Sequence, residues 1–145
     1  MRVEIVPARY EHIHYLVKHL RDEERAICEK MYGDQFFGTV LKEVDDSMLA
    51  WAALADGECA ALWGVKTHKI LSDEGMLWMI GTDLIDKHPI TFLRHSRRQV
   101  QSLRATFKTI YGCVLTEYST SRRWLEWLGF EIGPDQGGIC YCRLN

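Results

Sequence analysis

The chain has 145 residues, and its 18 lysine and arginine residues nearly balance its 20 aspartate and glutamate residues, for a net charge of −2. Hydrophobic residues make up 47% of the chain and aromatic residues 11%, which excludes intrinsic disorder, because disorder requires low hydrophobicity and high net charge. The length suits one core and is too short for two ordinary domains, so we predict a single domain over residues 1–145.

The first half of the chain is predicted to form one strand, at residues 3–6, and then two or three helices: 10–20, 22–31 and a further helical stretch at 36–44. The acids Asp22, Glu23 and Glu24 are expected to be solvated in the first turn of the second helix, where the helix dipole favours them. Two strands, 48–55 and 59–65, flank Asp56-Gly57, a dipeptide typical of a two-residue hairpin turn.

The second half is predicted to alternate strands and helices: a strand at 75–84, a helix at 89–110, a strand at 113–118, a helix at 122–128 and short strands at 130–132 and 139–144. Gly81 inside the first strand indicates a bulge or a close approach of other atoms. Pro89 suits the first helical position, and Gly112 and Gly129 are expected to end the two helices. This order predicts a mixed α/β domain with a mostly antiparallel sheet.

No segment has the sequence of a membrane span or a secretory signal. The longest apolar run, Met48–Ala55, is much shorter than the roughly 20 residues that cross a bilayer. The first residues, MRVEI, lack the apolar centre of a signal peptide. We therefore expect a cytoplasmic protein with no membrane partner.

The charges are unevenly distributed. Between Lys87 and Arg123, eight basic residues accompany one acid, Glu117, so this window carries +7. The ten basic and nineteen acidic residues elsewhere carry −9. Two interpretations stay open, a site for an anionic ligand or the solvated face of a helix. A nucleic-acid partner is not expected, because the whole chain is slightly acidic and contains no known binding motif.

The cysteines and histidines do not have the spacing of a metal site. The five cysteines are scattered and form no C-x-x-C pair: Cys28, Cys59, Cys113, Cys140 and Cys142. The three histidines of the first predicted helix are two and five residues apart, and neither spacing is the three or four that brings side chains together on one helix face. We predict buried or half-buried thiols in a reducing compartment and no metal.

The five tryptophans are interpreted as packing residues. Trp51, Trp63 and Trp78 lie in predicted strands, where they are expected to cover a face of the sheet. Trp124 and Trp127 lie in the last predicted helix and are expected to pack in the core rather than to form a stacking surface.

The segment YSTSRRWLEWLGF, from Tyr118 to Phe130, together with the order of elements, resembles the GNAT (GCN5-related N-acetyltransferase) superfamily. In that family the corresponding strand–helix unit also ends in Leu-Gly-Phe. More narrowly, the chain length, the long basic helix and this Ser-rich turn are similar to divergent GNAT-like proteins encoded by tailed phages. The resemblance implies one GNAT-like domain, with a central sheet flanked by helices, in the host cytoplasm if the protein is phage-encoded.

The resemblance implies an N-acetyltransferase that moves an acetyl group from acetyl-CoA to an amine by direct attack in a ternary complex. The acyl-CoA would lie in a V-shaped split between the predicted strands 75–84 and 113–118, whose backbones can pair with the pantetheine amides. The acceptor would be a small-molecule or protein amine, selected by the segments 36–44 and 67–74.

The implied CoA phosphate site lies at the start of the long basic helix, where backbone amides can bind a pyrophosphate. It comprises Leu84, Ile85, Lys87, His88, Thr91 and Arg94, with Arg98 as a further contact. Arg122 and Arg123 would lie near the adenosine-phosphate end. The glycine-rich pyrophosphate loop of the family is missing here, and Pro89 removes one backbone donor.

The implied acid–base residues lie at the ends of two predicted strands. Three carboxylates are candidates for the general base, which must deprotonate an ammonium within reach: Glu117, Asp83 and Glu74. Leu125 stands at the position of the family's catalytic tyrosine and cannot donate a proton to the leaving thiolate. Tyr118, which stands at the family's asparagine position, or Ser119 would have to act as the acid.

A second hypothesis is a GNAT-fold phage protein that has lost catalysis and acts by binding, as a virion-associated or host-inhibitory factor with a protein partner. The missing glycine loop and Leu125 favour this hypothesis. The frequent association of the fold with acetyl transfer favours the enzyme, although a fold alone does not determine a function.

Overall fold

The computed structural model describes residues 1–33, 35–67 and 72–145. The helices are α1 (Tyr10–Lys18), α2 (Asp22–Tyr32), α3 (Phe36–Asp46), α4 (Asp83–Lys87), α5 (Pro89–Thr106) and α6 (Ser119–Leu128). The strands are β1 (Val3–Pro7), β2 (Leu49–Ala55), β3 (Glu58–Lys66), β4 (Glu74–Gly81), β5 (Thr109–Leu115), β6 (Glu131–Ile132) and β7 (Ile139–Leu144). Of the two segments expected to select the acceptor, 36–44 lies in α3, whereas residues 68–71 of the other lie outside the described residues.

The seven strands form one sheet in the order β1-β2-β3-β4-β5-β7-β6. The pairs β1–β2, β2–β3, β5–β7 and β6–β7 are antiparallel, and β4 pairs with β5 in parallel. The predicted α/β class with a mostly antiparallel sheet flanked by helices is confirmed.

The chain forms two compact units. The first comprises Met1–Lys66 and Trp78–Phe92, and the second comprises Thr67–Leu77 and Leu93–Asn145.

The core of the first unit forms where α1 and α3 cover one face of its strands. Its buried members are Ile13, Leu16, Val40, Ala52, Cys59, Leu62 and Ile80. Ile13 and Leu16 are three residues apart and therefore share one face of α1. Leu62, in the apolar strand β3, is fully buried. The buried face of β3 therefore forms part of this core.

The hairpin between β2 and β3 confirms the turn predicted at Asp56-Gly57. Both residues have positive φ angles, 49° and 85°, as a two-residue turn of the primed type requires. The register places Trp51 opposite Trp63, and their rings stack with centroids 6.0 Å apart. The predicted packing of these two tryptophans on a sheet face is confirmed.

The start of α1 is capped by a buried histidine. The backbone N–H of Arg9 donates to Nδ1 of His12 at 3.0 Å, and His12 is only 8% exposed. The acceptor nitrogen must be unprotonated, so the neutral ring carries its proton on Nε2. Burial lowers the pKa of His12 below its ordinary value of 6.5; Glu11 raises this pKa and Arg9 lowers it.

The free energy of unfolding is therefore expected to decline as the pH drops below about 6.5, because the unfolded chain then takes up a proton that the folded His12 resists. Above that pH both states hold the neutral ring and this contribution is fully present. Urea unfolding between pH 8 and pH 5 measures the effect. His12→Asn should lose this part of the decline, whereas the exposed control His14→Asn should keep it; identical profiles for wild type and His12→Asn would contradict the assignment.

The long helix α5 ends earlier than the sequence predicts. α5 ends at Thr106 and β5 begins at Thr109, rather than a helix to residue 110 and a strand from 113. The Lys108 N–H donates to the Asp73 carbonyl at 2.7 Å, and Thr109–Tyr111 then pair in parallel with Glu74–Met76. Gly112 does not end a helix but lies inside β5, where a Cβ would lie 3.0 Å from the carbonyl oxygen of Leu77.

The same shift moves the start of the last helix. β5 ends at Leu115, and the Tyr118 N–H donates to the Leu115 carbonyl at 3.2 Å, so residues 116–118 form a turn rather than the end of a strand. α6 accordingly starts at Ser119 instead of residue 122. Gly129 ends α6 with a φ of 105°, as predicted. Within the described ranges, no helix combines the length and the apolar character needed to span a membrane.

Candidate functional site

The junction of β4 and α4 corrects the predicted strand 75–84. β4 ends at Gly81, and Thr82, which is fully buried, precedes a five-residue helix. The Thr82 hydroxyl donates to the Cys59 carbonyl at 3.0 Å, and its N–H donates to the Ala60 carbonyl at 2.9 Å. These bonds fix the residue at which the chain leaves the sheet. Because they join residues more than 20 positions apart, the apolar pattern of the sequence does not predict where β4 ends. The expected close approach at Gly81 is confirmed, because a Cβ there would lie 2.4 Å from Cδ1 of Ile85.

Leu84 and Ile85, predicted to contact the cofactor, turn their side chains inward. They are 8% and 5% exposed, and the Ile85 N–H already donates to the Thr82 carbonyl at 3.1 Å. Both residues therefore support the junction through packing, and any contact with a ligand would use backbone groups. Asp83, in the first turn of α4, is half exposed, and its carboxylate lies 3.5 Å from Nζ of Lys87.

The N-terminus of α5 is where the resemblance implies a phosphate site. The helix is 18 residues long and has no acid in its first turn. The His88 carbonyl accepts from the Phe92 N–H at 3.0 Å, so the amides of Ile90 and Thr91 precede the first helical bond and have no intrahelical acceptor. Lys87 and His88 are exposed directly before the helix, and Thr91 is half-buried within it. This end of α5 therefore combines two amides without intrahelical acceptors, a positive dipole end and a cation.

The basic residues further along α5 are exposed, and one of them covers a tryptophan. Arg94, Arg97, Arg98 and Arg104 all face solvent. The guanidinium of Arg97 lies 3.9 Å from the ring centroid of Trp127, a cation–π contact. Trp127 is 43% exposed, so the prediction that it packs in the core is wrong: it lies on the outer face of α6, whereas Leu125 and Phe130 are buried.

The turn before α6 holds three of the predicted acid–base residues. Glu117 and Ser119 are exposed, and Tyr118 is half-buried at the N-cap of α6. The Ser119 N–H donates to the Glu117 carbonyl at 3.2 Å, which keeps these residues in one compact turn. Leu125, in the second half of α6, is buried, with 7% of its surface exposed.

Two arginines, Arg122 and Arg123, lie in the first half of α6. Arg122 is half-buried, and its Nε is a buried donor with no acceptor among the described residues. Arg123 is exposed. No acid occupies the first turn of α6, so the local charge is positive, as the uneven charge distribution of the sequence indicates.

A polar contact that the sequence does not reveal supports the same turn. The Thr116 hydroxyl donates to Oδ1 of Asp135 at 2.6 Å and lies 3.2 Å from Sγ of Cys140. Asp135 and Cys140 are 19 and 24 positions after Thr116 in the chain. They meet Thr116 because β5 pairs with β7. Asp135 also accepts from the Gly138 N–H at 2.9 Å, so one carboxylate holds the end of β5 and the tight turn before β7.

The cysteines are packing residues, as predicted. Cys28, Cys59, Cys140 and Cys142 are buried and Cys113 is half-buried. Burial raises the pKa of the thiols of Cys28, Cys59 and Cys142 to about 12, so they stay protonated and unreactive at neutral pH. Within residues 1–33, 35–67 and 72–145, no three His, Cys, Asp or Glu side chains are grouped to hold a metal ion.

The acids at the start of α2 are not all solvated, contrary to the prediction. Glu24 is only 4% exposed, whereas Asp22 is exposed. Glu24 pairs with Arg21, the N-cap residue of α2. The sequence of three consecutive acids does not show that Glu24 is the buried one. Its burial depends on the strand β4, which is distant in the chain.

Comparisons with known proteins give matches at the level of structure. The chain matches no protein-family model, and no curated protein sequence matches it. PaiA N-acetyltransferase from Thermoplasma acidophilum, solved in complex with coenzyme A, matches with a TM-score of 0.67 at 14% identity, over 99% of this chain and 98% of that chain.

Two further acetyltransferases match over similar lengths. The GNAT domain of PAT from S. lividans has a TM-score of 0.68 at 13% identity, over 98% of this chain and 89% of that one. The ribosomal-protein-S18-alanine N-acetyltransferase from Escherichia coli has a TM-score of 0.64 at 16% identity, over 99% of this chain and 93% of that chain. At these identities the likeness concerns the fold, and the fold of this chain is that of the GNAT acetyltransferases.

Proposed function

We propose that the protein is a GNAT-like N-acetyltransferase that transfers an acetyl group from acetyl-CoA to an amine. The observation that supports this most is the N-terminus of α5, where two backbone amides without intrahelical acceptors adjoin Lys87 and His88. Amides and the positive end of a helix dipole together bind phosphate groups. The match to a solved acetyltransferase in complex with coenzyme A, over nearly the whole chain, adds support from the fold.

The residues present fit a pyrophosphate, although the glycine loop is missing. Lys87 would supply a charge-assisted contact, and Thr91 a hydroxyl donor, to the phosphate oxygens. Arg94 is exposed one turn further along α5. Arg122, which is half-buried, and Arg123, which is exposed, are proposed to contact an adenosine phosphate through their guanidinium groups.

The chemistry requires one base and one acid. Acetyl-CoA supplies an activated thioester; as the amine nitrogen bonds to its carbonyl carbon, the carbon–sulfur bond breaks and the thiolate leaves. The amine must lose a proton to attack, and we propose Glu117 or Asp83 as the base, because both carboxylates are exposed. Tyr118 or Ser119 would return a proton to the thiolate, since the buried Leu125 cannot.

Removal of the base is expected to lower kcat/KM by about 10²- to 10⁴-fold, the usual contribution of general base catalysis. Glu117→Gln and Asp83→Asn each remove one carboxylate from an exposed position, and acetyl transfer to an amine acceptor measures the loss. Glu126→Gln, an exposed acid on α6, is the matched control. Full activity in both variants would show that neither carboxylate is the base.

Lys87→Ala is expected to weaken acetyl-CoA binding roughly tenfold, which corresponds to the loss of one charge-assisted contact. The difference from wild type should shrink as salt is added, because Lys87 is exposed and its charge is screened. Calorimetric titration at low and high salt measures this, with the exposed Lys108→Ala as the control for charge alone. Equal affinities for wild type and Lys87→Ala would refute the phosphate assignment.

The second candidate is a protein that keeps the fold but acts by binding a protein partner. Two observations favour it: the segment after β4 forms the helix α4 in place of a glycine-rich loop, and Leu125 is buried where a proton donor would be needed. This candidate predicts that coenzyme A does not bind, so the titration that tests the enzyme also decides between the two.

A further inference from the structure

Arg21 and Glu24 form an ion pair that is almost fully removed from solvent. Nε of Arg21 donates to Oε2 of Glu24 at 2.7 Å, and its second guanidinium nitrogen donates to Oε1. Their side chains are 15% and 6% exposed. Such a buried pair usually adds little net stability over apolar residues of the same shape, so its role has to be sought in what it holds in place.

The pair lies against the end of β4. The residues just before it are bonded to the junction with α4: Leu20 forms a β-bridge with Thr82, and the Asp83 N–H donates to the His19 carbonyl at 3.2 Å. A Cβ on Gly81 would lie 3.2 Å from Oε1 of Glu24 and 3.4 Å from Nε of Arg21. The ion pair therefore covers the last residue of the strand at van der Waals distance.

Arg21 also reaches α4 itself. Its remaining guanidinium nitrogen lies 3.4 Å from Oδ1 of Asp86, so one planar cation joins α2, the end of β4 and α4. A guanidinium can hold several acceptors in a fixed geometry, which a lysine ammonium cannot. Asp83, one of the two proposed bases, lies three residues before Asp86 in the same short helix.

We propose that Arg21 is a positioning residue of the acetyl-transfer site, which fixes α4 and with it the carboxylate of Asp83 through its bonds to Glu24 and Asp86. This inference rests on the proposed function. Catalytic groups must be held within about 0.5 Å of the productive geometry, and α4 has only five residues. A helix of that length is not stable by itself, so its orientation depends on contacts such as those of Arg21.

The test compares two changes of different severity. Asp86→Asn weakens only the exposed contact of Arg21, and the paired change Arg21→Met with Glu24→Leu replaces the ion pair by apolar side chains that leave no buried charge. Glu29→Gln, an exposed acid of the same helix α2, is the control. Amide hydrogen exchange of Asp83 and Ile85, kcat for acetyl transfer and KM for acetyl-CoA are measured for each.

The paired change is expected to reduce exchange protection of Asp83 and Ile85 by about tenfold, a local opening that leaves the core strands protected. It should lower kcat by about 10- to 100-fold, as misplacement of a reacting group by about 1 Å does, with a smaller change in KM. Asp86→Asn should show the same pattern with smaller changes, and Arg21→Lys should fall between wild type and the paired change.

Protection and kcat equal to those of Glu29→Gln would overturn the proposal, and so would a uniform loss of protection throughout the chain, which indicates a general stabilising role. If the wild-type protein neither binds nor uses acetyl-CoA, the proposed function fails, and the exchange data alone still decide whether Arg21 holds α4.

Discussion

Gly64→Ala is expected to lower the free energy of unfolding by about 1–3 kcal/mol, the usual cost of overpacking a close-packed interior. A Cβ at this position of β3 would lie 2.7 Å from the Leu49 carbonyl oxygen and 2.7 Å from the Trp78 ring. Neither group can yield easily. The carbonyl belongs to the strand β2, and the Trp78 indole is held by its bond to the Ser47 hydroxyl at 2.7 Å.

The same substitution at Gly38 supplies a control with the opposite sign. Gly38 lies on the exposed side of α3, and a Cβ there would meet no atom within 4 Å. Because alanine favours a helix more than glycine does, Gly38→Ala should raise the free energy of unfolding by about 0.5–1 kcal/mol. Urea unfolding of both variants measures the difference; equal stabilities would contradict the packing described for β3.

Glu24→Leu is expected to lower the free energy of unfolding by about 3–5 kcal/mol, because it leaves the Arg21 guanidinium in a largely buried position without its main partner. Arg21→Met combined with Glu24→Leu should recover most of that loss, since no buried charge then remains. Chemical unfolding of wild type, the single variant and the paired variant gives both numbers. A single variant as stable as wild type would show that the carboxylate is not buried.

Local signals in the sequence were sufficient to predict the hairpin turn, the end of α6 and the fold class. Asp56-Gly57 predicted the hairpin because both positions need positive φ angles, and Gly129 predicted the end of α6 for the same reason. The order of apolar segments predicted a mixed α/β fold with a mostly antiparallel sheet. These features depend on residues that are close together in the chain.

Features that depend on distant residues could not be predicted. The start of β5 at Thr109 follows from its pairing with Glu74–Met76, and an apolar pattern alone continues the helix through Ile110. The burial of Glu24 follows from its position over Gly81. The exposure of Trp127 follows from the face of α6 that points outward, where the guanidinium of Arg97 lies over its ring.

The positive window from Lys87 to Arg123 contains groups of different kinds. Arg97 stacks on Trp127, and Arg104 donates to the Asn145 carbonyl at 3.0 Å. Lys87 lies beside a helix N-terminus, where a phosphate would be stabilised. The sequence left two interpretations of this window open, an anion site and a solvated helix face; the contacts of Arg97 and Arg104 account for two of its charges without a ligand, and Lys87 belongs to the phosphate site that we propose.

Titration of the native protein with acetyl-CoA by calorimetry tests the central proposal most directly. Binding with one site per chain, together with a rise in the thermal midpoint as acetyl-CoA exceeds its Kd, is the predicted result, because a ligand that binds only the folded state stabilises it. The absence of both binding heat and a thermal shift at millimolar acetyl-CoA would contradict the proposed acetyltransferase and favour the protein-binding function.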